Sequence, residues 1–326
     1  MAISGEHLKA LVQRHIEGDE EGFYSVATQV AARAARSGRT RFAQELQALI
    51  TTARGRHAAP GLKPTPLAQP RGELAGLMTV QYPSVRLNDM TLTAETMSRL
   101  TRVITEQRQR DRLEEHGLAP IHRVLLLGHP GTGKSMSAAM LAHELSLPLF
   151  TIQLDALMSK FMGETAAKLR LIFDAASTTR AVYLFDEFDA LGSQRALGND
   201  VGEARRVLNS FLQFLDAAST DSLVVAATNH PDLLDRALNR RFDIVVEYDV
   251  PEAEAALEVM RNRMALMDTK AIDWARVRSE VSGLSHAELV RAAESAAKNA
   301  LLHGAVAVDT KSIVNSLRER RRQTDG

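Results

Sequence analysis

The chain has 326 residues, 45% hydrophobic and 25% charged, and its 40 Lys+Arg balance 40 Asp+Glu to a formal net charge of zero. These values suit a globular protein of about two domains with a sizeable core, and they argue against a constitutive, non-specific nucleic-acid binder, which needs a basic field. No cysteine occurs, so disulfides, thiolate metal sites and thiol nucleophiles are excluded. No stretch approaches the roughly 18–20 apolar residues of a membrane span, and the first residues show no basic segment followed by a long apolar run. The expectation is a soluble, cytoplasmic protein without membrane contact.

Residues 1–53 read as a small helical module. Leu8, Leu11, Val12 and Ile16 share one helical face, Asp19 can cap a second helix that buries Phe23, Val26, Ala27 and Val30, and Phe42, Leu46, Leu49 and Ile50 mark a third after Gly38. An adaptor or substrate-docking role and a mere packing appendage both fit so small a core. Residues 54–84 scatter Pro60, Pro64, Pro66, Pro70 and Pro83 among Gly55, Gly61, Gly72 and Gly76, the composition of an extended linker. A helix follows over 94–116 on the stripe Met97, Leu100, Val103 and Ile104, with Gly117 as its C-cap and Pro120 as a stop.

Apolar, strand-like runs then occur at 124–127, 149–154, 182–185, 223–227 and 244–248, with helical patterns behind the first run and near 164–176 and 203–215. Strands alternating with helices predict an α/β fold: a five-stranded parallel sheet covered on both faces over residues 85–250, with ligands at the carboxyl ends of the strands. From Pro251 the strand signals stop, and residues 251–326 read as an all-helical domain. Arg318 to Arg322 holds four arginines and one glutamate, a solvated helix end or a nucleic-acid patch.

The first strand runs into Gly128-His129-Pro130-Gly131-Thr132-Gly133-Lys134-Ser135, with Met136 in the helix behind it. Strand, glycine loop ending in Lys-Ser, then helix is the setting of a phosphate-binding P-loop. Glycines let backbone N–H groups turn toward phosphates, Lys134 reaches the β- and γ-phosphates, and the Ser135 hydroxyl can hold Mg²⁺. The run Val182 to Phe185 ends in Asp186-Glu187, placing one carboxylate for Mg²⁺ and the next to polarise a water for attack on the γ-phosphate. Asn229 ends the 223–227 strand and can orient that water. Arg240 and Arg241 are surface ion-pair residues in a monomer, or arginine fingers onto a neighbour's nucleotide in a ring.

In order and approximate spacing, GHPGTGKS, LFDEFDALGSQR, AATNHPDLLDRAL and RRFD resemble the AAA family proper, within the wider AAA+ ATPases, over about two thirds of the chain. That resemblance implies ATP and Mg²⁺ as cofactors, and it carries the nucleotide-binding set over Gly128 to Met136, the metal site Ser135 and Asp186, and the catalytic set Glu187, Asn229, Arg240 and Arg241. It also implies a homo-oligomeric ring, usually a hexamer, with an α-helical lid from about residue 251. Ser159-Lys160-Phe161-Met162-Gly163-Glu164 resembles the family's pore loop, so Phe161 and Met162 would grip an extended polypeptide and Gly163 would let the loop bend. Without the family context, Phe161 reads as a core residue.

Three positions depart from the family pattern. His129 stands where proline is more usual, Ser135 where threonine is, and His286, in Gly283-Leu284-Ser285-His286-Ala287-Glu288, where glycine lies close to the adenosine. His143-Glu144 lacks the second histidine of a zinc-protease motif, and a single P-loop excludes a stacked double ring from one chain. The implied function is an ATP-hydrolysing ring that remodels or unfolds protein by threading it through a central pore. Its partners would be a polypeptide substrate or adaptor and, in one variant, a separately encoded protease. The alternatives are a nucleic-acid-associated loader, for which the basic tail is the one supporting feature, and a nucleotide-dependent regulatory switch.

Overall fold

The computed structural model describes residues 69–157, 162–191, 201–218, 221–230 and 239–324, together with Ala27 and Val30. The chain divides into two compact units, Met1–Pro64 and Thr65–Gly326. In the first, Ala27 and Val30 are helical and buried; the remaining residues of the N-terminal helical module lie outside the described residues.

The second unit contains a six-stranded sheet with strand order β1-β3-β4-β5-β2-β6. Its strands are β1 (Met78–Gln81), β2 (Arg123–Gly128), β3 (Leu149–Ile152), β4 (Val182–Phe185), β5 (Leu223–Thr228) and β6 (Ile244–Tyr248). Strands β2 to β6 are mutually parallel, as the alternation of strand and helix predicts. The sixth, β1, runs antiparallel along the edge of β3, with Met78 opposite Ile152 and Gln81 opposite Leu149. It lies inside the stretch read as linker, so the expected five-stranded parallel sheet is corrected to six strands, one of them antiparallel. The physical reason is that Leu77 and Met78 are apolar enough to be buried despite the surrounding Pro and Gly.

Each parallel strand feeds two cores by its two-residue alternation. In β2, Leu125 and Leu127 belong to one cluster with Tyr183, Phe185 and Phe211, while Val124 and Leu126 belong to another with Leu141, Leu184 and Val225. Helices cover both faces. They include α1 (Ala94–Arg108) and the short α2 (Arg110–Glu114), α3 (Lys134–Glu144), α4 (Leu154–Leu157), α5 (Met162–Thr178) and α6 (Val201–Ala217). The single helix expected over 94–116 is broken at Gln109, which takes a non-helical φ of −104° and ψ of 19°. Gly117, at φ +72°, closes α2 as a left-handed cap, with the Leu118 N–H donating to Leu113 O at 2.9 Å.

Beyond Pro251 the chain is helical: α7 (Ala253–Arg263), α8 (Trp274–Arg278), α9 (His286–Leu302) and α10 (Thr310–Thr324) enclose a third cluster that includes Met260, Val277, Leu289, Ala293 and Ile313. Ser285 caps α9 through a reciprocal box with Glu288. In the basic tail, Arg318 pairs with Glu280 at 2.5 Å, and Arg321 donates to the carbonyls of Glu280 and Ser282. Two of the four arginines thus fasten α10 to the rest of the helical domain, in line with the solvated-helix reading.

Candidate functional site

The glycine loop sits at the carboxyl end of β2, between β5 and β6. Gly128 is pressed against β6: a Cβ there would lie 2.2 Å from Tyr248 O, and its φ of +149° is one L side chains rarely adopt. Farther along, Gly131 and Gly133 take φ of +74° and +109°. The loop is held from within. The Thr132 hydroxyl donates to His129 O at 2.8 Å, and the buried Lys134 ammonium donates to Gly128 O and His129 O, each at 2.8 Å. Burial lowers the Lys134 pKa, opposed by the charges of Asp186 and Asp189. The ammonium therefore lies against two carbonyl oxygens and near two carboxylates, and its positive charge is what a bound anion would complement.

From β4, the neighbour of β5, the acidic pair arrives beside the loop. Ser135 Oγ donates to Asp186 Oδ2 at 2.5 Å, and the Glu187 N–H donates to Asp186 Oδ1 at 2.9 Å. These are hard oxygen donors in contact, a set that suits Mg²⁺, which completes its shell with waters and phosphate oxygens. Glu187 is exposed and takes φ +51°, a left-handed conformation uncommon for a residue with a Cβ.

Asn229 follows β5, the strand between β4 and β2, so it stands between the acidic pair and the loop in the order of the sheet. Asp189 secures this turn: its Oδ1 accepts from Thr228 Oγ1 at 2.8 Å and from the Asn229 N–H at 3.4 Å. The sequence reading passed over Asp189, although a third carboxylate within LFDEFDALGSQR was the available signal.

Arg240 and Arg241 are not brought to this loop. They precede β6, and the register pairs Ile244 with Val124 and Tyr248 with Gly128. The arginines therefore lie at the opposite end of the sheet, beyond about 13 Å of strand at a rise of roughly 3.3 Å per residue. Both are exposed. Arg241 pairs with Asp216 at the end of α6, and Asp216 also lies 3.8 Å from Arg123. Next to them, Asp243 accepts from the N–H groups of His122 and Arg123 and from the Arg123 guanidinium. Burial would raise the Asp243 pKa, but those hydrogen bonds and charges outweigh it and hold the carboxyl below its ordinary value.

The helical domain meets the loop through the start of α9. The Ala287 N–H donates to Gly131 O at 3.0 Å, and a Cβ on Gly131 would lie 2.7 Å from Ser285 Oγ. Within the second unit, between the sheet-bearing part and the helical part, opens a cavity of 640 Å³, lined among others by Met90, Thr91, Thr132, Met136, Val259 and His286. Met136, 41% exposed, turns an apolar side chain into it. A cavity of that size, lined by both apolar and polar groups and adjoining a phosphate loop, suits a nucleoside. Phe161 lies outside the described residues; Met162 and Gly163 open α5.

Comparison with known proteins agrees with the fold. Residues 124–250 match the family described as ATPase family associated with various cellular activities (AAA). An uncharacterized AAA family ATPase of Sinorhizobium fredii is 32% identical over 322 residues, covering 99% of this chain and 97% of that protein. The ATP-dependent zinc metalloprotease FtsH of Helicobacter felis is 31% identical over 69% of this chain, and the proteasome-activating nucleotidase of Pyrococcus horikoshii 32% identical over 66%. This chain spans 37% and 56% of the length of those two relatives. Among solved structures, the crystal structure of the FIGL-1 AAA domain aligns with a TM-score of 0.60 at 25% identity, covering 74% of this chain and 85% of that one.

Proposed function

Because the chain belongs to the AAA family of ATPases, we propose that it forms a ring, most simply a hexamer, that hydrolyses ATP to thread and remodel protein substrates. Membership of the family carries ATP hydrolysis itself. The observation that carries the site assignment is the convergence of Lys134, Ser135 and Asp186 at the carboxyl end of β2, with Glu187 next in line.

In this reading the loop from Gly128 to Ser135, with Met136, holds the triphosphate, and the nucleoside lies in the cavity between the sheet-bearing part and the helical part. Lys134 exchanges its two carbonyl partners for phosphate oxygens, and Ser135 and Asp186 hold Mg²⁺. Bound there, Mg²⁺ would neutralise charge on the β- and γ-phosphates. The Glu187 carboxylate accepts a hydrogen bond from the attacking water and takes its proton as general base, and Asn229, steadied by Asp189, orients that water. Arg240 and Arg241, too far along the sheet to serve their own nucleotide, supply positive charge to the adjacent protomer's γ-phosphate. Phe161 and Met162 line the pore and grip the polypeptide through packing that tolerates varied sequence.

The names of two relatives, a metalloprotease and a proteasome-activating nucleotidase, support a proteolytic setting, here with a separately encoded protease. Two of the tail arginines are engaged with Glu280 and its neighbours, which leaves the nucleic-acid alternative with little behind it. The test is Glu187→Gln: ATP binding and assembly should persist while turnover falls at least about a hundredfold. The arrested protein should retain a polypeptide when recovered. Normal turnover would remove Glu187 from its role, and recovery of DNA would favour the alternative.

A further inference from the structure

The sequence pattern marks His286 as a departure from the family at a position close to the adenosine, and the mechanism above gives its imidazole no use. It begins α9 in the helical domain, and its ring lines the 640 Å³ cavity. Its Nε2 lies 3.0 Å from Thr91 O on the opposite wall. A carbonyl can only accept, so Nε2 carries a proton. Nδ1 is buried with no hydrogen-bond partner. Burial also lowers the ring's pKa, in keeping with a neutral imidazole of one fixed tautomer. The adjacent Ala287 N–H bonds Gly131 O in the glycine loop. Two consecutive residues of α9 therefore hold two different walls: Ala287 the phosphate loop, His286 the segment from Met90 to Leu92.

We propose that His286 is a positioning residue for the nucleobase. Its Nε2–H fixes the Thr91 carbonyl, and with it the cavity wall, to the helical domain, so that seating a base and setting the lid against the sheet become one event. The inference rests on the reading of the glycine loop as a nucleotide site, and it goes beyond that reading by assigning the base end of the cavity to a side chain. A glycine or alanine here would leave Thr91 O without this donor and the wall free to shift, while the Ala287 bond to the glycine loop would remain. The phosphate end should therefore be spared.

The experiment compares binding of ATP and of inorganic tripolyphosphate, which has no base, to the full chain by calorimetry. His286→Ala should weaken ATP about tenfold, the scale of losing one partly buried hydrogen bond with its wall. It should leave tripolyphosphate affinity within about twofold. His286→Gln, whose amide N–H can donate to Thr91 O, should recover most of the ATP affinity. Turnover at saturating ATP should change less than KM in His286→Ala. ATP affinity unchanged in His286→Ala, or ATP and tripolyphosphate weakened alike, overturns the assignment, as does failure of glutamine to rescue a folded variant. If the unsubstituted chain binds neither ATP nor tripolyphosphate, the nucleotide site itself is wrong, a result distinct from any of these.

Discussion

Gly128→Ala tests how the glycine loop is held. The added Cβ would stand 2.2 Å from Tyr248 O, 2.8 Å from Tyr248 Cβ and 3.0 Å from Tyr248 C. These atoms belong to β6, whose backbone is tied into the sheet, so neither rotamer change nor side-chain motion relieves the overlap. Overpacking of this kind costs about 1–3 kcal/mol. A φ of +149° adds backbone strain of about 1–3 kcal/mol for a residue with a Cβ. Together they predict a loss of about 4 kcal/mol, or roughly 10 °C in Tm for a unit of this size. Gly117→Ala is the control, because Gly117 also has a positive φ, +72°, but nothing lies within 4 Å of its Cβ position. It should cost about 1 kcal/mol, from strain alone. Urea denaturation of the two variants without nucleotide reads the difference. Equal destabilisation, within about 1 kcal/mol, would refute the close approach of β2 to β6 at this point.

Three further outcomes are expected. Phe211 is fully buried, with ring centroids 4.6 Å from Phe188, 4.9 Å from Phe185 and 5.5 Å from Phe173. Phe211→Ala should destabilise the unit by about 3–5 kcal/mol in the same denaturation assay. Asp243 has its folded pKa depressed, so its contribution is present above the unfolded carboxylate value of about 3.9 and is lost as pH falls through the lower folded value. Asp243→Asn should accordingly cost about 2 kcal/mol at pH 7 and flatten the fall in stability below about pH 4, read from unfolding midpoints across pH 3 to 7. Mixing Arg240→Ala/Arg241→Ala protomers with Glu187→Gln protomers should restore part of the ATPase activity that each lacks alone, whereas no recovery in mixed assemblies would argue against arginines acting in trans.

The sheet was legible wherever apolar runs were long and flanked by turns. Val182–Phe185 has the expected bounds because parallel strands buried on both faces are continuous in apolar residues, and Ile244–Tyr248 has them too, although it is an edge strand with Glu247 exposed. Met78–Gln81 was not legible, since four residues among prolines and glycines carry too little pattern and gain their strand from pairing with β3. The break at Gln109 was equally hidden, because every residue from Thr105 to Arg112 is polar or charged and no apolar stripe marks where one helix ends and the next begins.

At the site, the glycine loop and Asp186-Glu187 could be placed from sequence because local spacing fixes their backbone setting. The partners of these residues could not. Asp189 under Thr228, Asp216 against Arg241 and His286 on Thr91 are pairs separated by 39, 25 and 195 residues, and only the fold brings them together. His286 could be flagged as a departure in sequence, but its partner and tautomer depend on the meeting of two domains.

The central claim, that ATP hydrolysis drives polypeptide through a pore, is tested most directly by unfolding of a stable fluorescent reporter bearing an unstructured tag. The unsubstituted chain with ATP should extinguish the reporter's fluorescence. Phe161→Ala should leave basal ATPase within about twofold while slowing that loss at least about tenfold, the scale expected when a buried aromatic contact is removed. Reporter unfolding at the normal rate by Phe161→Ala, or none by the unsubstituted chain while it hydrolyses ATP, would contradict the account.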